Sequence, residues 1–510
     1  MSVQELKGPE DRRVTITGPL PSIIAYLANT LRLVTVIILG SVTTIGRGAF
    51  GGCTNLVTVH IPDSVTTIGL GAFGGCTGLL SVKIPGSVTS IGDWAFGSCI
   101  GLTSITFPGS LTQIGDEAFR GCFRLVSVKI PGSVTRIGNS AFNGCTGLTS
   151  ITFPGSVTSI GNWAFEGCTG LTSVRIPDSV TTIGAGAFSG CTGLTSVHIP
   201  GSVASIGQRA FASCTGLTSI TFPESLTHIC DEAFSGCSGL LSVKIPGSVT
   251  SIGDWAFGSC IGLTSITFPG LLTQIGDEAF RGCSGLTSVH IPDSVTSIGE
   301  GAFAGCSRLL SVKIPGSVTS ICDEAFRGCS GLTSVHIPDS VTSIGEGAFA
   351  GCSRLLSVKI PGSVTSICDE AFSGCSGLTS ITFPDSVNSI GCWAFSGCTR
   401  LTSVHVPRSV MWITNSAFYE CTGLIRISMS STRSTCFMVP GPPCKRTELM
   451  TYKTWKDVAK YMRIPRSVKE DAVNIILTLK RVRIGGSSLP PEMILHILFQ
   501  CTTGYKLLSK

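Results

Sequence analysis

The chain has 510 residues, of which 13% are charged and 43% hydrophobic, with 63 Gly and 25 Phe. That composition excludes disorder over most of the length and allows a large buried core. The net charge of +6 is unevenly placed: from Arg433 onward there are 14 Lys+Arg against 5 Asp+Glu, leaving 22 against 25 before it.

The first thirteen residues carry Glu5, Glu10, Asp11, Arg12 and Arg13, without the apolar run and small-residue cleavage site of a secretory leader. Residues 20–39 are apolar enough to resemble a membrane span. Pro21, Asn29 and Arg32 interrupt them, however, and the end already fits the pattern that follows. Residues 1–32 therefore read as an N-terminal flank or cap.

From Ser41 the block "SVTTIGRGAFGGCTNLVTVHIPD" returns every 23 residues, with starts from 41 to 409, seventeen in all and none broken by an insertion or deletion. A strict period of this size signals a solenoid, in which each unit buries its apolar face only against its neighbours. "LTSVHIP" alternates inward Val and Ile with polar residues and predicts a short strand that ends at Pro. "SVTSIG" predicts a second extended pass with Val and Ile inward. The Ala-Phe, Gly-Cys and Leu positions return the chain to the next strand. Identical residues then stack at about 4.8 Å, giving a rod on the order of 80 Å long. Phe50, Phe73, Phe349 and Phe418 belong to one unbroken column, the expected spine.

The pattern "IPxSVTxIGxxAFxGCxxLxSVxIP" resembles the BspA-like leucine-rich repeat family over residues 33–429. The resemblance implies a leucine-rich repeat solenoid with a parallel β-sheet on one face and an irregular second pass. It also implies a binding role; some members are surface adhesins, a role that requires a secretion signal. Blocks are also copied in groups: "SVTSIGDWAFGSCIGLTSITFPG" stands at Ser87 and Ser248, and the segment from Ser294 returns almost unchanged at Ser340. A repeated surface residue can therefore be an inherited copy.

Seventeen of the 24 Cys form one column from Cys53 to Cys421. Parallel inward side chains keep their Cβ atoms too far apart for easy disulfide formation, so they read as buried thiols filling space. Such abundance favours a reducing compartment, and the cytoplasm is the expected location. No Cys-x-x-Cys pair occurs, and Cys436 and Cys444 bracket a Pro-rich turn with no nearby His, so no metal site or cofactor is expected. Cys230, Cys322 and Cys368 replace the Gly after Ile, and redox sensing is the functional reading to set beside a structural one.

One strand slot varies. It carries His60, Lys83, Lys129, Arg175, His198, Lys244, His290, Lys313, His336, Lys359 and His405, with Thr in most other copies and no acid in any. Acids gather instead before Ala-Phe, as in Asp116-Glu117, Asp231-Glu232, Asp277-Glu278, Asp323-Glu324 and Asp369-Glu370. The coil is expected to be electrically two-sided. The functional reading is a basic groove for a protein with an acidic surface, associating more slowly as salt rises. The plainer one is that exposed strand positions favour Thr and long solvated side chains. His290 and His336, two coils apart with Lys313 between, are not placed as metal ligands.

Nucleic acid is disfavoured because no aromatic residues interleave with the basic ones. A Thr face suggests ice binding, but Lys and His interrupt it. Trp94, Trp163, Trp255 and Trp393 share a column beside the acids, either anchoring a partner or packing on an edge. The repeat spaces Ser, His and Asp evenly and builds no singular catalytic cluster, so neither an enzyme nor a small-molecule substrate is expected.

Residues 430–510 read as a linker and a small, basic, helical C-terminal tail. "SVKEDAVNIILTLKRVR" has acids early and bases late, as a helix dipole favours. "LPPEMILHIL" resembles the first helix of an F-box, which implies that Leu489, Pro490, Met493, Ile494, Ile497 and Leu498 contact a ubiquitin-ligase adaptor. The alternative is an amphipathic helix that covers the open end of the solenoid. Contact with anionic lipid or nucleic acid is a further reading of the tail's charge. The sequence as a whole therefore predicts a non-enzymatic protein-binding scaffold, with a ubiquitin-ligase substrate receptor as the second reading.

Overall fold

A computed structural model describes residues 2–5, 13–17, 32–414, 416–429, 437–439, 483–484 and 487–488. Within 32–429 each 23-residue block closes one coil. In the first block Val42, Ile45, Ala49, Phe50, Cys53, Leu56 and Val59 all point inward and are buried, and later blocks repeat the arrangement. No polar or charged residue is buried among the described residues. The interior is thus an apolar column, and each coil is stable only because the next one covers it.

The Phe spine is continuous. From Phe50 to Phe418 successive rings stack at 5.1–5.6 Å, with planes within 12° of parallel. Where a strand ends in Thr-Phe-Pro, the extra ring meets the spine edge-on, as Phe107 does against Phe119 at 5.6 Å.

The strand face consists of short parallel strands such as Ser81–Lys83, Ser127–Lys129 and Ser334–His336. It divides into separate sheets of four, two, two, five and six strands. The second pass, expected to be irregular, is the more continuous ladder. Two-residue strands pair in parallel through twelve coils, from Thr44–Ile45 to Ser297–Ile298, and a six-stranded sheet resumes at Ser320–Ile321. Both faces are interrupted at the same coil junction, since the five-stranded sheet of the strand face ends at Ser265–Thr267 and the next begins at Ser311–Lys313. Only the bridge Ser265–Ser288 reaches the coil between them. The spine crosses the junction, with Phe303 and Phe326 at 5.6 Å.

Pairing continues beyond both ends of residues 33–429. Arg13–Thr17 lies parallel to Thr35–Ile38, and Ser2–Glu5 lies antiparallel to Arg13–Thr17. Phe437–Val439 pairs with Trp412–Thr414. In the tail, Arg483–Ile484 and Ser487–Ser488 form an antiparallel pair, so Arg483, the last residue of the expected helical segment, is in a strand. The rest of that segment and the F-box-like residues Leu489 to Leu498 lie outside the described residues. No described helix is long and apolar enough to cross a membrane.

Candidate protein-binding face

All eleven residues of the basic and His column are exposed, from His60 to His405. The ladder sets them beside their neighbours: Arg175 pairs with His198, Lys313 with His336, and Lys359 with Thr382, which in turn pairs with His405. None of Lys83, Lys129, Lys244, Lys313 and Lys359 makes an ion pair among the described residues. Three residues before the slot, most coils carry Thr, whose hydroxyl donates to the carbonyl one coil back. Thr103 reaches Leu80 O at 3.0 Å and Thr333 reaches Leu310 O at 3.1 Å.

The acidic flank is built differently. Asp93, Asp116, Asn139, Asn162, Asp231, Asp254, Asp277, Asp323 and Asp369 each accept, through Oδ1, the backbone N–H of the same position one coil on, at 2.7–3.0 Å. The next residue is left-handed, with φ of 51–58° even at Trp94, Glu117, Ser140, Arg209, Glu278 and Trp393. That costs side-chain residues on the order of 1 kcal/mol. The conformation turns their N–H groups toward the following coil: Trp94 donates to Asp116 O at 2.8 Å and Glu117 to Asn139 O at 2.7 Å. These acids therefore carry structure first. Arg120, Arg281 and Arg327 close on Glu117, Glu278 and Glu324 at 2.8 Å. Desolvation, together with Asp369, Asp323, Glu370 and Glu324, pushes Glu346 above the usual carboxylate range.

The preceding coil also fixes a glycine, by its backbone as well as by Asp: with Leu70 or Ala185 in the Asp position, a Cβ at Gly92 or Gly207 would still lie 2.7–2.8 Å from backbone atoms. A Cβ at Gly115 would lie 2.5 Å from Asp93 Oδ1, and Gly253, Gly276, Gly299, Gly345 and Gly391 face Asp oxygens of the preceding coil in the same way. Cys230, Cys322 and Cys368 stand at this position only where the residue 22 places earlier is Gln208, Glu300 or Glu346. There the coils separate slightly: Cys230 N to Ile206 O is 3.3 Å and Cys368 N to Ile344 O is 3.1 Å, against 2.8–3.0 Å at the glycines. Burial and nearby carboxylates push all three thiols up. That disfavours the reactive thiolate a redox sensor needs.

None of the 21 described cysteines is in a disulfide. Those of the column are more than space-filling groups, because each from Cys76 onward donates to the carbonyl of the Phe 26 residues back; Cys76 reaches Phe50 O at 3.0 Å. Burial pushes Cys283, Cys329 and Cys375 up to about 12. Among the described residues no three His, Cys, Asp or Glu side chains converge on a metal-sized site. Trp94 and Trp255 are part-covered and lie under Arg120 and Arg281 at 5.9 and 5.6 Å, which is edge packing. Trp163 is 44% exposed.

The Asp–Gly relation and the left-handed column were missed in the sequence, although the first is visible there from Asp93 to Asp369, where each Asp or Asn of the column is followed by Gly 22 residues later.

The profile of the BspA type leucine rich repeat region matches residues 24–149, 137–263, 228–356 and 352–438. The chain belongs to this family. A BspA-type rod of stacked coils is what the ladder and spine describe. Among solved structures, the chain is similar to a leucine-rich repeat protein from Bacteroides ovatus, at 28% identity over 83% of this chain and 98% of that one, TM-score 0.48. It is also similar to a leucine rich cell surface protein from Faecalibacterium prausnitzii, at 32% identity over 69% and 91%, TM-score 0.42. A third, the leucine rich repeat protein of T. pallidum, shares 32% identity over 39% and 82%, TM-score 0.29. No curated protein sequence gives a significant match.

Proposed function

We propose that this BspA-type rod is a non-enzymatic scaffold that binds another protein on its strand face, at an acidic surface of that partner. One observation carries the reading: an exposed column of Lys, Arg and His without a single acid, whose lysines are in no ion pair among the described residues. The acidic flank reads differently, because its Asp carboxylates hold backbone N–H groups of the next coil and Glu117, Glu232, Glu278 and Glu324 are paired with arginines. A cytoplasmic location is part of the proposal, supported by the abundance of cysteines with no disulfide among the described residues.

The test is affinity capture with the full chain and with a full-length variant carrying Lys313→Glu, His336→Glu and Lys359→Glu, at matched solubility. The expected result is a partner recovered by the first and lost by the second, with recovery falling as salt rises. Equal recovery by both rejects the strand face. Recovery of a cullin adaptor that survives the Glu changes would favour the F-box-like reading instead.

A further inference from the structure

The strand-face reading treats all eleven basic and His positions alike; the structure separates five of them. In every coil with Lys in the slot, the residue three places earlier is an exposed aliphatic one: Leu80, Val126, Leu241, Leu310 and Leu356, which are 47–55% exposed. Apart from Val57 in the first coil and Ile425 in the last, coils without Lys carry Thr there.

Stability does not explain the exchange. Leu forfeits the hydroxyl-to-carbonyl bond that Thr makes and leaves about half of a hydrocarbon side chain in water. After Pro, the Lys coils all carry Gly, at Gly86, Gly132, Gly247, Gly316 and Gly362. The His198, Thr106, Thr152 and Thr267 coils carry Gly there too, at Gly201, Gly109, Gly155 and Gly270, whereas the His60, Arg175, His290 and His336 coils carry Asp63, Asp178, Asp293 and Asp339. A Cβ at Gly86, Gly132, Gly316 or Gly362 would meet nothing within 4 Å, and none of these glycines is left-handed. Neither space nor backbone requires Gly at these four, while a Cβ at Gly247 would lie 3.9 Å from Glu224 Oε2, so the glycine neither marks the Lys coils nor clears acids from all of them. Descent from a common coil explains how the aliphatic residue and Lys began together. It does not explain their retention where near copies have changed elsewhere, as Arg327 against Ser373 and His336 against Thr382 show.

We propose, building on the strand-face reading, that the Lys coils are its docking positions, and that they take an amphipathic α-helix of a partner protein with acidic and aliphatic residues repeating every seven. Lys83 and Lys129 are two coils apart, as are Lys313 and Lys359, with Thr106 and His336 between them. Two coils span about 10 Å, and seven helical residues rise about 10.5 Å and return to the same face. An extended partner would need three residues to cover that distance, and its alternating side chains would then point away at every second contact. Across the rod, the aliphatic and Lys columns are three extended residues apart, at most about 10 Å, close to the width of one helix. Aliphatic side chains of the helix thus meet one column while its carboxylates meet the other, the usual logic of helix recognition.

The test uses the full chain and two labelled helical peptides of about 28 residues. One repeats Leu and Glu every seven residues. The other has the same composition and helicity with the repeat broken. Fluorescence anisotropy should show the regular peptide binding at least ten-fold more tightly. Changing Leu80, Val126, Leu310 and Leu356 to Thr should erase that preference while retaining charge-driven binding of both peptides. Thr is native to this position in other coils, and far-UV circular dichroism checks the fold. Changing Lys83, Lys129, Lys313 and Lys359 to Gln should weaken both peptides at least ten-fold.

Equal affinity of the two peptides for the unmodified chain overturns the helix-docking inference. If that equal binding is lost with the Lys→Gln changes, the basic strand face still stands; if it survives them, both readings fall. Absence of binding by either peptide also overturns the inference and leaves the strand face to the capture experiment above.

Discussion

The rod carries two charged columns on the same repeat, and they are opposites in construction. On the acidic flank, Asp93 and its equivalents hold the N–H of the next coil, and Glu117, Glu232, Glu278 and Glu324 are closed by arginines. On the strand face, Lys83 and its equivalents are solvated and in no ion pair among the described residues. A regular charge pattern is therefore not evidence of binding until its hydrogen bonds are accounted for. The same accounting assigns one column to the fold and leaves the other for a partner.

The interior that both columns share gives the largest expected effect. The folded rod holds the Cys283, Cys329 and Cys375 protons up to about pH 12, against an ordinary thiol value of 9.0. Their contribution is fully present below pH 9 and is lost as pH climbs through the folded value. Each costs roughly 1.4 kcal/mol per pH unit in that window, so urea unfolding midpoints should collapse between pH 9 and 11. A flat midpoint across that range would show that the thiols are not buried as described. Next, Phe234→Ala removes a ring stacked on both Phe211 and Phe257 and should cost about 3–5 kcal/mol in the same assay.

The comparison itself is sharpened by Gly253→Ala, expected to cost about 1–3 kcal/mol through the clash with the Asp231 carboxylate and with the backbone of Cys230 and Asp231. Asp231→Ala should cost about 1 kcal/mol from the lost bond to Asp254 N. The double variant should cost less than the sum, because the two share one contact. Strict additivity would break the proposed lock. Smallest of all, Lys313→Gln should change stability by no more than about 0.5 kcal/mol. A loss as large as that of Asp231→Ala would mean the strand column is structural too, and the contrast would disappear.

Much of this was legible because a 23-residue period fixes which residues stack. The strand, the Pro corner, the Phe spine and the exposure of the variable slot all follow from inward–outward alternation. The continuity of the second pass was not, since "SVTSIG" offers only two residues to a ladder and no pattern shows whether they pair. The left-handed column was hidden because Trp, Glu and Arg occupy it as freely as Gly does, held there by bonds to the next coil. The Leu–Lys association was legible residue by residue. It needed the exposure of Leu310 before it could be separated from packing.

The Asp–Gly contact has a consequence for how such an array can grow. A coil that begins its second corner with Gly can be spliced behind any other coil, because nothing at that position intrudes on its predecessor. In this chain every coil with Cys there follows a predecessor with Gln or Glu in place of Asp or Asn. The copied segment from Ser340 obeys this grammar at both levels: its new junction places Gly345 behind Asp323, and it carries Glu346 with Cys368 as the original carries Glu300 with Cys322. Recombination between coils is thus directional, and the units that travel intact are those that keep each Cys with the residue that makes room for it.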